Sequence, residues 1–230
     1  VNPEDVESRK PFVEGFVMRE CCHTPSNWRA KQTLPAYLRE NKIVAIDGVD
    51  TRKITKFLRT NGAKKSVIST IDFDHDSLVQ KAIDSQDMAG SDYVKAVSVN
   101  EPYEWNPNFK GEYRVVAFDY GIKYNILRLL EAHGCKVIVM PATATAEETL
   151  AQKPDGIFLS NGPGDPAATG EYAIPAIQGV MAARLPVFGI CLGHQLLALS
   201  LGANGYKLPR GHRGANQPVK DLTTGKVEIT

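Results

Sequence analysis

The sequence predicts an α/β protein with two unlike parts: a partial N-terminal domain of mixed α/β structure, then a domain with a mostly parallel sheet covered by helices. Short apolar runs alternate with helix-like segments after residue 113. A stretch rich in Pro, Asn and aromatic residues precedes them at 99–113 and lacks periodicity. Apolar strands separated by helices are typical of parallel sheets buried on both faces, and 230 residues can bury a sizeable core.

The N-terminal part, residues 1–105, is expected to contain two strands and three helices. The strands are predicted at 13–18 and 66–71, and the helices at 34–41, 51–61 and 76–86. In the second helix apolar residues recur at helical spacing, Asp50 or Thr51 can cap its start, and Gly62 can end it. Residues 106–112 are assigned to a linker.

The second part, residues 113–230, alternates strands and helices. Strands are predicted at 114–118, 135–140, 156–159 and 186–190, and helices at 123–132, 146–152, 172–183 and 194–201. Ligands of such sheets bind where loops leave the carboxyl ends of the strands. The chemistry of this chain is therefore expected at that edge.

Composition disfavours several classes of protein. The net charge is +1 without a long run of one sign, so a general nucleic-acid or anionic-membrane binder is not expected. No stretch approaches the roughly 18 apolar residues of a membrane span. The start of the chain is polar and acidic, unlike a secretory signal.

The four cysteines do not form a disulfide framework and favour a reducing, cytoplasmic compartment. Two of them are adjacent and are followed by His23, which invites a metal interpretation. Adjacent cysteines rarely ligate one ion, and no second pair exists, so no metal site is expected.

The strongest chemical signal surrounds Cys191, in the run PVFGICLGHQ at 186–195. A buried strand leads into Gly-x-Cys-x-Gly and then a helix, which is typical of a nucleophile elbow. Small residues two before and two after the cysteine relieve crowding, and the helix N-terminus favours a thiolate. The N–H of Leu192 would point to a developing oxyanion. The alternative is a buried cysteine at an ordinary β–α turn.

A second loop, SNGPGDP at 160–166, also follows a strand. Its glycines and prolines fix an unusual backbone path that can present N–H groups to a carbonyl or carboxylate. A phosphate-binding interpretation is weaker, because the Gly-Lys-Ser/Thr ending of a Walker motif is missing. The alternative is a tight surface turn.

Together the two loops, GICLGHQ and SNGPGDP, resemble the class I glutamine amidotransferases. Four further segments restrict the similarity to one family within that class: FDYGIKYNI, GHRGANQPVKD, PSNW and IDGVDTR. They resemble the small-subunit family of carbamoyl phosphate synthetases over essentially the whole chain. This is the family to which the sequence alone assigns the protein.

The resemblance implies a Cys-His-Glu amidase in which Cys191 attacks the side-chain amide of L-glutamine and forms a thioester. It further implies that the N–H groups of Leu192 and Gly164 form the oxyanion hole. Gly162, Gly164, Leu192 and Gln195 match positions that hold glutamine.

The resemblance also implies a division of labour between two subunits. Ammonia would pass through a tunnel to the carbamoyl phosphate synthetase large subunit, which makes carbamoyl phosphate for arginine and pyrimidine synthesis. ATP, Mg and bicarbonate would be used by that partner, so no cofactor is expected in this chain. The N-terminal domain would mainly contact the partner.

The family's catalytic His and Glu form a His-x-Glu pair well after the Gly-His-Arg-Gly segment, and the sequence ends at Thr230 before such a pair. A glutamine-contacting Ser of the family precedes Val1. His212 is not the base by motif position, and His194 is expected to have a structural or helix-capping role. The 230 residues alone are expected to be nearly inactive, because losing a general base typically removes a factor of about 10² to 10⁴.

Two alternatives remain open at this point. One is a non-catalytic scaffold or regulatory subunit on the same fold, which the retained Cys191 disfavours. The other is a different class I amidotransferase, such as one that serves GMP or anthranilate synthesis. Those enzymes have no counterpart to residues 51–71, which disfavours this second alternative.

Overall fold

The computed structural model describes residues 1–208, 211 and 216–229. The N-terminal part contains short elements, with strands β1 and β2 pairing in parallel. In chain order they are a 3-10 helix Pro3–Asp5, β1 Gly15–Val17, α1 Leu34–Glu40, β2 Val44–Ile46, α2 Thr51–Asn61, α3 His75–Asp84 and α4 Val94–Val97.

Side-chain caps fix where three of these helices begin. Thr33, Asp50 and Asp74 each accept a hydrogen bond from the backbone N–H three residues later. Each cap satisfies a donor that the first helical turn leaves without an intrahelical partner. Asp50 is therefore the cap of α2, and the predicted bounds of that helix are confirmed.

The second part is the larger and more regular. Its elements are β3 Tyr103–Glu104, β4 Tyr113–Asp119, α5 Tyr124–Ala132, β5 Cys135–Pro141, α6 Ala146–Ala151, β6 Gly156–Leu159, α7 Pro166–Ala182, β7 Val187–Gly189, α8 Leu192–Ser200, β8 Pro218–Lys220 and β9 Val227–Ile229. Strands β8 and β9 form an antiparallel pair of their own.

Five of these strands form one sheet in the order β3-β5-β4-β6-β7. Strands β5, β4, β6 and β7 are mutually parallel, whereas β3 runs antiparallel to β5. The mostly parallel sheet predicted from the alternating pattern is thus confirmed. The carboxyl ends of β4, β6 and β7 lie side by side and bring the loops that follow them together.

Helices cover both faces of this sheet. Val116 and Phe118 of β4 point into a core shared with α7 and α8, whereas Ala117 points into a second core shared with α5. The period of two along a strand sends alternate side chains to opposite faces. Both faces of β4, β5 and β6 are therefore largely buried, whereas Phe188 of β7 is 63% exposed. Burial on both faces explains why these inner strands are mainly apolar.

Helix α7 begins six residues before the predicted start. Asp165 caps it by accepting a hydrogen bond from the N–H of Ala167, and Pro166 occupies the first helical position. Proline suits that position because its missing N–H would have no partner there. The prediction failed because Gly170 and Pro175 interrupt the helical pattern of the sequence.

The strand predicted at 66–71 is wrong, since these residues form no regular structure. The Ser69 hydroxyl accepts hydrogen bonds from the N–H groups of Ile71 and Asp72, at 3.2 and 2.8 Å. Such local bonds compete with a sheet ladder for the backbone donors. The apolar side chain of Ile68 still packs close to Gly15 of β1.

The irregular stretch 99–113 contributes a strand to the sheet. Tyr103 and Glu104 form β3, and the indole N–H of Trp105 donates to the carboxylate of Glu131 at 2.9 Å. The sheet thus begins inside the segment assigned to the N-terminal domain. The boundary at residue 105 stays a prediction.

Tyr120 offers a test of the core. Its side chain is fully buried, and within the described residues its hydroxyl has no hydrogen-bond partner. Burial raises the pKa of Tyr120, so the hydroxyl stays protonated. We expect Tyr120→Phe to raise the free energy of unfolding by about 1 kcal/mol, because it removes a buried, unpaired polar group. Urea unfolding measures the change.

Phe118→Leu is the control, since Phe118 is equally buried and stacks with Tyr120. It should lower the free energy of unfolding by leaving a cavity. A destabilised Tyr120→Phe protein would show that the hydroxyl has a stabilising partner.

Candidate active site

The turn between β7 and α8 carries Cys191. Its backbone has φ 53° and ψ −112°, a region in which a residue other than glycine is strained. Cys191 is exposed and precedes Leu192, the first residue of α8. The strand, strained turn and helix of a nucleophile elbow are therefore all present. A buried cysteine at an ordinary turn does not describe this site.

The two glycines of the elbow stand where no side chain fits. A Cβ on Gly193 would lie 2.2 Å from the carbonyl oxygen of Leu159, and a Cβ on Gly189 would lie 2.7 Å from the backbone of Gly193. The N–H of Gly193 donates to the carbonyl of Ser160 at 3.0 Å. Larger residues would push the elbow away from β6, so the glycines hold it against that strand.

The loop of residues 161–165 lies beside the elbow because β6 and β7 are neighbouring parallel strands. A Cβ on Gly162 would lie 2.9 Å from Cδ2 of Leu192 and 2.1 Å from the carbonyl oxygen of Tyr120. The backbone at Gly162 thus passes between the loop after β4 and the first turn of α8, with no room for a side chain. Two of the predicted glutamine-binding residues, Gly162 and Leu192, are brought together.

Gly164 is further along the same loop and has φ +99°, which favours glycine. A Cβ there would lie 2.9 Å from the carbonyl oxygen of Ser91 and 3.1 Å from the N of Tyr93. The next residue, Asp165, accepts a hydrogen bond from the N–H of Gly90 at 2.8 Å. Hydrogen bonds from the N–H groups of Gly90 and of Ala167 lower the pKa of Asp165, so the carboxylate is ionised at neutral pH.

The two predicted oxyanion donors are the backbone N–H groups of Gly164 and Leu192. In the described part of the chain, neither Gly164 nor Leu192 donates its N–H to another residue. Gln195 lies one turn along α8, where its backbone N–H donates to the carbonyl of Cys191 at 3.1 Å and its side chain is exposed. The individual roles of the five site residues stay predictions.

His194 is exposed on the first turn of α8, and its side chain makes no hydrogen bond to another described residue. The cap position of that helix is Cys191, whose side chain makes no capping bond. The structure therefore shows no capping by His194. His212 lies outside the described residues.

Sequence reasoning did not anticipate the parts played by Tyr120 and by residues 90–93. The loop after β4 carried a signal, because Tyr120 belongs to the FDYG segment quoted above. Ser91 gave no signal in the sequence, because it contributes its backbone carbonyl, which every residue type possesses. Only the fold could reveal that contact.

Within the described ranges no cluster of three or more His, Cys, Asp and Glu side chains could hold a metal ion. All four cysteines are free thiols, and Cys22 Sγ donates to the carbonyl of Thr24. None of the helices in the described ranges is long and apolar enough to cross a membrane.

Two cavities of about 380 Å³ lie elsewhere on the surface. One stands at the carboxyl ends of β1 and β2, beside Cys21 and His23. The other is apolar and lies next to Phe158 and Phe188. Cys191 lines neither of them.

Three relatives, each named carbamoyl phosphate synthase small chain, align with nearly the whole chain. The protein of Syntrophotalea carbinolica is 51% identical over 242 residues, covering 100% of this chain and 64% of the relative. That of Stutzerimonas stutzeri is 50% identical, covering 99% and 63%. That of Bradyrhizobium diazoefficiens is 47% identical, covering 100% and 62%.

The chain thus spans somewhat less than two thirds of the length of these relatives. Two family models match separate parts of it. Residues 1–68 match the carbamoyl-phosphate synthase small chain, CPSase domain. Residues 116–230, half of the chain and the part that carries the elbow, match the class-I glutamine amidotransferase model. The chain belongs to the class I glutamine amidotransferase family.

Proposed function

We propose that this chain is part of the glutamine-hydrolysing subunit of a carbamoyl phosphate synthase. The observation that carries the proposal is the strained, exposed Cys191 at an elbow whose flanking glycines admit no side chain. The energy stored in such a backbone is typical of a functional site. A scaffold without catalysis would have no need for this conformation.

The chemistry begins with attack of Cys191 Sγ on the side-chain carbonyl carbon of glutamine. The carbonyl oxygen becomes an oxyanion, which the N–H groups of Leu192 and Gly164 can bind. Ammonia leaves when the C–N bond breaks, and a glutamyl thioester remains. Water then hydrolyses the thioester to glutamate and restores the thiol. Gly162 and Gln195 complete the contacts to the substrate.

The fate of the ammonia is inferred from the relatives. Three proteins 47–51% identical to the chain are named carbamoyl phosphate synthase small chain, and residues 1–68 match the domain model specific to that chain. We therefore assign the partner as a large subunit that uses ATP, Mg and bicarbonate. The free thiols favour a cytoplasmic location.

Cys191→Ser tests the nucleophile in the full-length protein bound to its large subunit. We expect carbamoyl phosphate synthesis from glutamine to fall by at least about 10³-fold, because the weaker serine nucleophile lacks an activating arrangement of its own. Synthesis from added ammonium should be unchanged, since the partner performs that chemistry. Both rates are measured by trapping carbamoyl phosphate.

Cys135→Ser is the matched control, because Cys135 is a free thiol at the amino end of β5, whereas Cys191 follows the carboxyl end of β7. It should leave both rates unaltered. Equal loss of both activities in Cys191→Ser would contradict the division of labour.

Gly193→Ala tests the elbow without touching the thiol. The added Cβ would meet the carbonyl oxygen of Leu159 at 2.2 Å, so the turn must move away from β6. We expect modification of Cys191 by a reactive glutamine analogue to slow by about 100-fold, because a displacement of about 1 Å has that effect on a positioned group. Intact mass measured against time gives the rate.

Gly156→Ala is the control for this substitution, since its Cβ would lie 3.7 Å from the carbonyl oxygen of Pro186, an ordinary contact. The rate should then stay within about twofold of the unsubstituted protein. Normal labelling of Gly193→Ala would show that the close approach to β6 is not needed for the site.

A further inference from the structure

A segment of ten residues, 90–99, crosses the carboxyl edge of the sheet and contacts the loops after three adjacent strands. At the end of β4, the buried carboxylate of Asp119 accepts the N–H of Val99 at 2.9 Å. After β5, the N–H of Ala142 donates to the Ser98 hydroxyl at 2.9 Å. The contact after β6 involves the loop of Gly164. One segment of the N-terminal part therefore connects the carboxyl ends of β5, β4 and β6, next to the turn that carries Cys191.

The contact with the loop after β6 uses backbone atoms of the 90–99 segment and both the backbone and the carboxylate of Asp165. The N–H of Asp165 donates to the carbonyl of Ser91 at 3.1 Å, and the N–H of Gly90 donates to the carboxylate of Asp165 at 2.8 Å. Gly164 approaches Ser91 and Tyr93 so closely that no Cβ would fit between them. The position of the Gly164 N–H is therefore set by the 90–99 segment.

Asp92 and Val94 anchor the segment to the rest of the molecule. Val94 is fully buried in the core that also contains Leu192. Oδ1 of Asp92 accepts from the N–H of Val94 and from the hydroxyl of Tyr172 in α7, both at 3.2 Å, and from the hydroxyl of Thr169 in α7 at 3.5 Å. Lys95 lies 3.4 Å from Oδ2 but is largely exposed, so that ion pair contributes little. The hydrogen bonds of Oδ1 are the specific link to α7.

We propose that the 90–99 segment, anchored by Asp92, holds Gly164 in the geometry that glutamine hydrolysis requires, which makes Asp92 a positioning residue for that reaction. The inference rests on the proposed function. Asp92 touches neither the nucleophile nor the loop directly, and it acts through the Ser91 carbonyl. Its effect should therefore appear in reactions that use the loop and be absent from reactions that use only the thiol.

The test compares Asp92→Ala with Asp92→Asn in the full-length protein bound to its large subunit. Asp92→Ala should lower kcat/KM for glutamine hydrolysis by about 10-fold or more, because small displacements of a positioned group are costly. Asp92→Asn keeps an Oδ1 acceptor and should stay within about threefold. Synthesis from ammonium should be unchanged in both variants.

Two labelling reactions separate positioning from a general structural effect. A reactive glutamine analogue needs the oxyanion loop, and its rate of modifying Cys191 should fall with kcat/KM in Asp92→Ala. Iodoacetamide needs only the thiol, and its rate should not change. Glu131→Ala is the control, because it also removes a carboxylate that accepts two side-chain donors, Trp105 and Asn106, but at the other edge of the sheet.

The outcomes are distinguishable. If the unsubstituted protein does not hydrolyse glutamine, the proposed function is wrong and the inference falls with it. If that protein is active and Asp92→Ala matches it, only the inference is overturned. Equal loss of both labelling rates together with a lower Tm would show a merely structural role and would also overturn it.

Tyr172→Phe keeps the inference testable if Asp92→Ala does not fold. The substitution removes the shorter of the two hydroxyl bonds from α7 to Asp92, at 3.2 Å, and leaves the 3.5 Å bond from Thr169. A drop of at least about twofold in kcat/KM at unchanged Tm supports positioning. An unchanged kcat/KM overturns it.

Discussion

The candidate active site depends on one close approach, that of the Gly193 backbone to the carbonyl of Leu159. The approach is possible only without a side chain, and it is reinforced by the hydrogen bond from Gly193 to Ser160. It brings the first turn of α8 onto the end of β6. The strained conformation of Cys191 is the geometric result, because the chain must turn sharply to pass from β7 into a helix held that close.

The close approach of Gly193 to Leu159 also brings the neighbouring loops of the site together. Once α8 starts beside β6, Leu192 meets Gly162 in the loop after β6, and Gly162 in turn rests on the backbone of Tyr120 after β4. Each contact joins loops that leave neighbouring parallel strands. The topology thus assembles the site from segments distant in sequence, and glycines recur wherever two backbones must touch.

The sequence was most informative where a residue type is required by a conformation. Asp50 capped α2 as its side chain predicts, and the Gly-x-Cys-x-Gly run predicted the elbow because only small residues fit around it. It was least informative where backbone atoms make the contact. The carbonyl of Ser91 and the N–H of Val99 leave no mark on residue choice. The false strand at 66–71 has a related cause, since an apolar β-branched run does not reveal that Ser69 will redirect its backbone donors.

Strand β3 is only two residues long, yet it has a consequence for solubility. It pairs with Val139 and Ile138 in β5, a strand whose apolar residues would otherwise stand at an open border of the sheet. Uncovered apolar borders recruit other chains and promote aggregation. Tyr103 and Glu104 therefore cover the hydrogen-bonding edge of β5. Cutting the polypeptide after Glu104 to isolate the second part would uncover that edge.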